Sequence, residues 1–217
     1  MSLINLEKEV TNHAGEQVFF SFTTDPYQPL EEELGLTRQA IGILNAFGVG
    51  VNILTKGGFR AVRDLHLLSR SPRNAFGVTL TTDDPVEAQY WEKGAALPHE
   101  RIASLRMAKE MGIYTWVSFE PVINPMAVFR LINEIKDFVD MVKVGKLNYF
   151  PRAAQEVDWG QFHAGVTHYL ASLQLKYYIK KDLAERAKHQ GGNIERLREP
   201  DCCPSSQPSD ERSCRSA

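Results

Sequence analysis

Six short apolar runs of strand length recur along this chain, and the stretches between them carry helical spacing; no other feature constrains the fold as strongly. Residues 17–22 read QVFFSF, a β-branched and aromatic run suited to a buried strand. Similar runs occupy residues 49–54, 76–80, 114–119, 141–144 and 176–179. Between them, Leu34, Ala40, Ile41, Leu44 and Phe47 fit one helix over residues 31–47, which Gly48 ends. Short helical spacing covers residues 61–68. Pro98 opens a helix whose buried stripe is expected at Ile102, Leu105, Ala108 and Met111. Val128, Leu131, Ile132 and Ile135 mark a further helix, and residues 158–173 and 183–197 complete the series.

Such an alternation predicts a parallel sheet wound by right-handed crossovers, because parallel neighbours must be joined by a crossover long enough to hold a helix. Both an open doubly wound sheet and a (β/α) barrel satisfy it. The loops favour the barrel. Polar residues follow successive strands: Thr24 and Asp25, Thr55 and Lys56, Thr81 and Thr82, Ser118 and Glu120, Lys143 and Lys146. In a parallel barrel these positions converge on one rim, where active sites are built.

The chain has 217 residues, with 25 Lys and Arg against 27 Asp and Glu. A net charge of −2 excludes a strongly basic nucleic-acid coat protein, although not a local basic patch. No apolar run approaches the ~20 residues that span a bilayer, and the N-terminus lacks a signal-peptide pattern, so a cytoplasmic protein without membrane contact is expected. All 3 cysteines, Cys202, Cys203 and Cys214, lie near the C-terminus, in a spacing that matches neither a zinc site nor a disulfide framework. A cysteine-free body fits a reducing compartment. Residues 199–217 are rich in Pro, Ser, Asp and Arg and read as a disordered tail behind a barrel of residues 1–198.

Several rim residues carry usable chemistry. Asp25, with Thr24 and Tyr27, stands in a proline-braced loop; its carboxylate can accept from a ligand's ammonium or cap its own backbone. Lys56, in Thr55-Lys56-Gly57-Gly58, can pair with a carboxylate or phosphate, but the stretch is not a Walker loop. Glu120 needs a partner inside a barrel; a cofactor ribose or a lysine, Lys143 or Lys146, would serve. His163 and His168 are five apart, a spacing that does not face one metal. Arg60, Arg63, Arg70 and Arg73 form a basic stretch that either tracks a DNA backbone or is a solvated helix face. The three tryptophans read as core.

Taken in order, SFTTDPYQPLE at 21–31, ILTKGGFRAVRDLHLL at 53–68, FGVTLTTDDP beginning at 76, TWVSFEPVI at 115–123 and VKVGKLNY at 142–149 resemble the radical S-adenosylmethionine (SAM) proteins related to spore photoproduct lyase, the DNA repair photolyase group. The resemblance covers roughly residues 19–183. It implies a partial radical SAM (β/α) barrel that holds SAM and a [4Fe–4S] cluster. In that family the reduced cluster cleaves SAM to a 5′-deoxyadenosyl radical, which abstracts a substrate hydrogen; the cofactor carries the difficult chemistry. On the matching positions it implies cofactor contacts at Thr24, Asp25, Tyr27, Thr55, Lys56, Ser118, Glu120 and Lys146.

The sequence departs from the family at the cluster. A C-x₃-C-x₂-C loop is needed to bind three irons through three thiolates, and nothing here has that spacing. The first strand would then correspond to the family's second, and the cluster is not expected on this chain alone. The same departure leaves two other readings open. One is a non-catalytic barrel or pseudoenzyme. The other is a hydrolase that uses Asp25 and Glu120 as acid and base. The missing body cysteine also weakens thymine-dimer repair as the specific reaction, and no catalytic residue is assigned.

Overall fold

The computed structural model describes residues 3–20, 23–146 and 157–189. Its frame is one sheet of six parallel strands in the order of the chain: β1 (Gln17–Phe20), β2 (Gly50–Thr55), β3 (Ala75–Thr79), β4 (Tyr114–Phe119), β5 (Met141–Val144) and β6 (Lys176–Ile179). A doubly wound sheet would reverse direction at an internal switch point. Here the order never reverses, so right-handed crossovers carry every helix to the same face. That is barrel winding, and the sheet is a partial barrel as expected.

The crossovers are α1 (Leu3–Glu9) before the sheet, then α2 (Glu31–Leu34) and α3 (Leu36–Ala46), α4 (Phe59–Val62) and α5 (Leu65–Leu68), α6 (Pro85–Trp91) and α7 (Pro98–Glu110), α8 (Pro125–Ile135), α9 (Trp159–Ser172) and α10 (Lys181–His189). The single helix expected over residues 31–47 is broken at Gly35, whose φ of 59° is left-handed and interrupts the helical path. Leu34, on the far side of the break, is exposed rather than buried. The helix of 61–68 is likewise two separate turns. Apolar periodicity did not reveal α6; it starts on a local device, Asp84 accepting from the amides of Val86 and Glu87 with Pro85 in the first turn.

Strand alternation divides the apolar residues between two layers. Val51, Ile53, Phe76, Val78, Val117, Phe119, Val142 and Val144 point outward into the main core beneath the helices, where Ile41, Leu44, Leu105, Ile132 and Leu170 meet them. Ala75, Trp116 and Met141 form a second cluster with Phe19, Leu54 and Tyr114. By alternation these side chains occupy the opposite, inner face of the sheet. Burial on both faces accounts for the near-continuous apolar strands. In α7 the buried stripe holds Arg101, Ile102, Ser104, Leu105 and Ala108, whereas Met111 is exposed.

Candidate functional site

The inner face is filled from below and polar above. Trp116 is its plug, 1% exposed, with Nε1 donating to Asn52 Oδ1 at 2.8 Å. Gly77 stands beside it on β3, and a Cβ there would lie 2.4 Å from Trp116 Cε2. The glycine makes room for the indole. One step toward the strand C-termini, the register aligns Thr79, Ser118, Lys143 and Tyr178 across four strands. Lys143 Nζ stands 4.9 Å from the centre of the Trp116 ring, within cation–π range. Thr81 follows two residues on, just past the end of β3. Its Oγ1 is buried and has no hydrogen-bond partner among the described residues.

Around this interior the strand-end loops are tied together by charge. Asp25 Oδ1 accepts from the Tyr27 amide at 2.8 Å and from Thr55 Oγ1 at 2.6 Å, and Oδ2 accepts from the Lys56 amide at 2.6 Å. Of its two sequence readings the structure displays the backbone cap, extended across to β2. Thr55 Oγ1 also accepts from the Gly57 amide, and Gly57 passes so close to Tyr27 that a Cβ would sit 2.6 Å from the Tyr27 Cβ. The glycines thus allow close approach of protein to protein. Tyr27 is wholly buried in the core, and Thr24 is exposed. Burial, reinforced by the adjacent Asp64 carboxylate, pushes the Tyr27 phenol well above its ordinary pKa.

Lys56 already faces a carboxylate of the protein's own. Its Nζ lies 2.8 Å from Glu92 Oε1, and Glu92 Oε2 lies 2.7 Å from Arg101 Nη2. Arg101, 1% exposed, further donates to the carbonyls of Ala96 and Thr79 at 2.8 and 2.9 Å. Burial alone would raise the Glu92 pKa, but the charges of Arg101 and Lys56 outweigh it and hold the carboxyl below the usual range. Glu92 and Arg101 were invisible to motif reading; the available signal was an arginine inside an apolar helical stripe.

Among the described residues the ion-pair partner of Glu120 is Lys180, where a lysine of the fifth strand's end, Lys143 or Lys146, was anticipated. Gly145 packs directly on this pair; a Cβ there would stand 2.8 Å from Glu120 Oε1 and 2.9 Å from Lys180 Cδ. Lys146 Nζ lies 4.0 Å from Asp182 instead. Ser118 is buried within the inner row. The acid–base pair of a hydrolase is not assembled: β2 and β3 intervene between Asp25 and Glu120, and each carboxylate is already engaged.

The basic stretch is also spent inward. Arg60 donates to the carbonyls of Tyr27 and Gly94, and Arg73 donates to the carbonyl of Gly15. Arg63 is bound to Glu31 and Asp64. Of these arginines only Arg70 is exposed and the other three are half-buried, which gives the reading of a DNA-tracking row no support. Of the histidines, His163 is buried and burial lowers its pKa, while His168 is exposed. Among the described residues no cluster of His, Cys, Asp or Glu is arranged to hold a metal. The tail, its three cysteines, Asn148 and Tyr149 lie outside the described residues.

The six-stranded parallel sheet with its helices is an α/β fold like that of radical SAM neighbours among solved structures. Among solved structures, SuiB of Streptococcus suis bound to S-adenosylmethionine superposes with a TM-score of 0.58 at 11% identity, over 76% of this chain and 39% of SuiB. SuiB is a radical SAM enzyme. Its complex with the precursor peptide SuiA gives a TM-score of 0.57 over 76% of this chain and 37% of that one. No family model matches the chain. Uncharacterized proteins of Mycobacterium bovis and Mycobacterium tuberculosis H37Rv are 32% identical over 111 residues, 50% of this chain. The match spans about a third of those relatives' length (32%). No helix among the described residues is long and apolar enough to cross a membrane.

Proposed function

We propose that this chain, over residues 1–198, is the SAM-positioning barrel of a radical SAM protein, with residues 199–217 a tail outside it. The observation that carries the reading is the polar inner row above Trp116, in a fold shared with a SAM-bound enzyme. SAM presents a carboxylate, an ammonium and ribose hydroxyls. The hydroxyls of Thr79, Thr81 and Ser118, the Tyr178 phenol and the Lys143 ammonium supply complementary donors and acceptors. Thr81 Oγ1 in particular, buried and without a partner among the described residues, has hydrogen-bonding capacity to offer. These residues fit the cofactor. The described residues do not fit an iron–sulfur cluster, because they include no cysteine and no group of three or more His, Asp or Glu arranged to hold a metal.

When bound beside a reduced cluster, SAM supplies hydrogen-atom abstraction. The chain's own residues orient the cofactor, hold its charges and keep water from the inner face. The ordered motifs at the strand ends support the finer reading of a lyase-like member related to spore photoproduct lyase. The engaged arginines give a DNA substrate no support.

The test begins with the nucleotide sequence upstream of the Met1 codon, read for an in-frame C-x₃-C-x₂-C segment. The protein expressed with that segment and reconstituted anaerobically is expected to bind SAM in equilibrium dialysis and to release 5′-deoxyadenosine on reduction. Reconstituted protein that holds a cluster yet neither binds SAM nor forms 5′-deoxyadenosine would overturn the proposal.

A further inference from the structure

A groove of about 530 Å³ opens between α6 and α8, and none of its walls belongs to the inner row. Val86, Glu87 and Tyr90 of α6 line it, with Arg130 of α8 and with Asp83 and Asp84 from the loop after β3. Val86 and Tyr90 are 74% and 73% exposed. Met126, 61% exposed, stands in the first turn of α8, where its amide donates to the groove residue Asn124. These are the three most exposed large apolar side chains among the described residues. Exposed apolar residues scattered singly are ordinary, but three gathered at one groove mark a surface that another molecule covers. Tyr90 is also braced, its ring packed edge-on against Trp91 with centroids 5.1 Å apart.

The charges of the groove say what covers it. Arg130 and Asp83 neutralise each other through two hydrogen bonds. Asp84 and Glu87 are left uncompensated. Asp84 Oδ1 accepts from the amides of Val86 and Glu87, and Glu87 Oε2 accepts from the Thr82 hydroxyl. The other oxygen of each carboxylate accepts from no group among the described residues. We infer that the groove docks a basic segment of a partner polypeptide. A lysine or arginine of that segment lays its apolar stem along Val86 and Tyr90 and brings its cationic head to Asp84 and Glu87. The Tyr90 ring adds a cation–π face, and an apolar neighbour in the segment covers Met126. Two uncompensated carboxylates repel phosphate, which sets nucleic acids and anionic membranes aside as occupants. The inference does not depend on the cofactor reading.

The test is selection of a random peptide library, displayed on phage, against the full chain, with the enriched peptides synthesised and titrated by fluorescence anisotropy. Enriched sequences are expected to carry Lys or Arg beside an apolar residue. Their Kd should rise about fivefold or more in Tyr90→Ser and in Glu87→Gln, and should also rise with added salt. Glu87→Gln keeps an acceptor for Thr82, and Asp84→Ser keeps a capping side chain while removing the charge, so loss of binding in either reports charge rather than folding. Each variant is checked by circular dichroism. Leu34→Ser, at an exposed leucine of α2, should leave the Kd unchanged. A selection that enriches nothing, or enriches acidic or purely apolar peptides, overturns the inference. So do basic peptides that bind Tyr90→Ser and Glu87→Gln as tightly as the parent. The same variants are sedimented and titrated with a labelled DNA duplex. Self-association lost in Tyr90→Ser would make a second copy the occupant, and a DNA complex lost there would make it a nucleic acid; either result refutes the proposal.

Discussion

Replacing Gly77 with alanine puts a methyl group 2.4 Å from Cε2 and 2.6 Å from Nε1 of Trp116, well inside the ~3.5–4.0 Å of ordinary carbon contact. The indole has no room to retreat. Nε1 is bonded to Asn52 at 2.8 Å, Lys143 covers one face at 4.9 Å, and Phe19 closes another side at 6.0 Å. Overpacking of this kind costs about 1–3 kcal/mol. If the ring turns aside, Asn52 Oδ1 is left buried without its donor, a further ~1–3 kcal/mol. The loss of glycine's freedom in the unfolded chain returns about 0.4–1 kcal/mol, for a net destabilisation of roughly 1–5.5 kcal/mol. At this chain length that lowers Tm by roughly 2–22 °C. Thermal melts followed by near-ultraviolet circular dichroism report both the stability and the indole environment. In a Trp116→Phe background the clashing pyrrole atoms are gone, so Gly77→Ala should cost far less there, a coupling that a double-mutant cycle measures. A Gly77→Ala protein within ~0.5 kcal/mol of the parent, or an equal cost in both backgrounds, would refute the packing account.

The buried triad predicts an asymmetry. Arg101→Met leaves Glu92 charged and 6% exposed and strands the carbonyls of Ala96 and Thr79; urea denaturation should show a loss of about 3–5 kcal/mol. Lys56→Met removes a side chain 35% exposed and should cost under about 1 kcal/mol, so equal losses would contradict the assignment. Stability should also decline in two steps on acidification. Burial lowers the folded pKa of His163 below its ordinary 6.5, so the unfolded chain takes up the proton first and stability falls as pH drops below about 6.5. His163→Gln should flatten that upper step in a series of melts at different pH. Glu92, whose folded pKa lies below its ordinary 4.5, contributes stability above that pH and loses it as pH falls further. A pH profile unchanged by His163→Gln would show that another group governs the upper step.

The inner strands were legible because burial on both faces leaves a near-continuous apolar signature: residues 114–119 and 141–144 coincide with β4 and β5. The recurrence of polar residues just after them marked the rim, since chain direction alone puts every parallel strand's C-terminus at one end. Helix boundaries were legible where a local device sets them, as at Pro98 of α7, or Asp158, which caps α9. Where the break depends on a single backbone angle, as at Gly35, periodicity ran through it.

Partners of charged groups were another matter. A charge in a sequence shows neither its direction nor its distance from others, and pairing is a long-range fact. Asp25 binds Thr55 and the Lys56 amide, Lys56 meets Glu92, and Glu120 meets Lys180, separations of roughly 30 to 60 residues along the chain. The arginines of residues 60–73 read as a solvent-facing row because spacing is local. The fold turns three of them onto carbonyls and carboxylates brought in from other loops. The residue types, the strand order and the rim therefore follow from one-dimensional pattern, whereas only the closed packing decided which side chains were consumed in holding the loops and left the row from Thr79 to Tyr178 facing the interior.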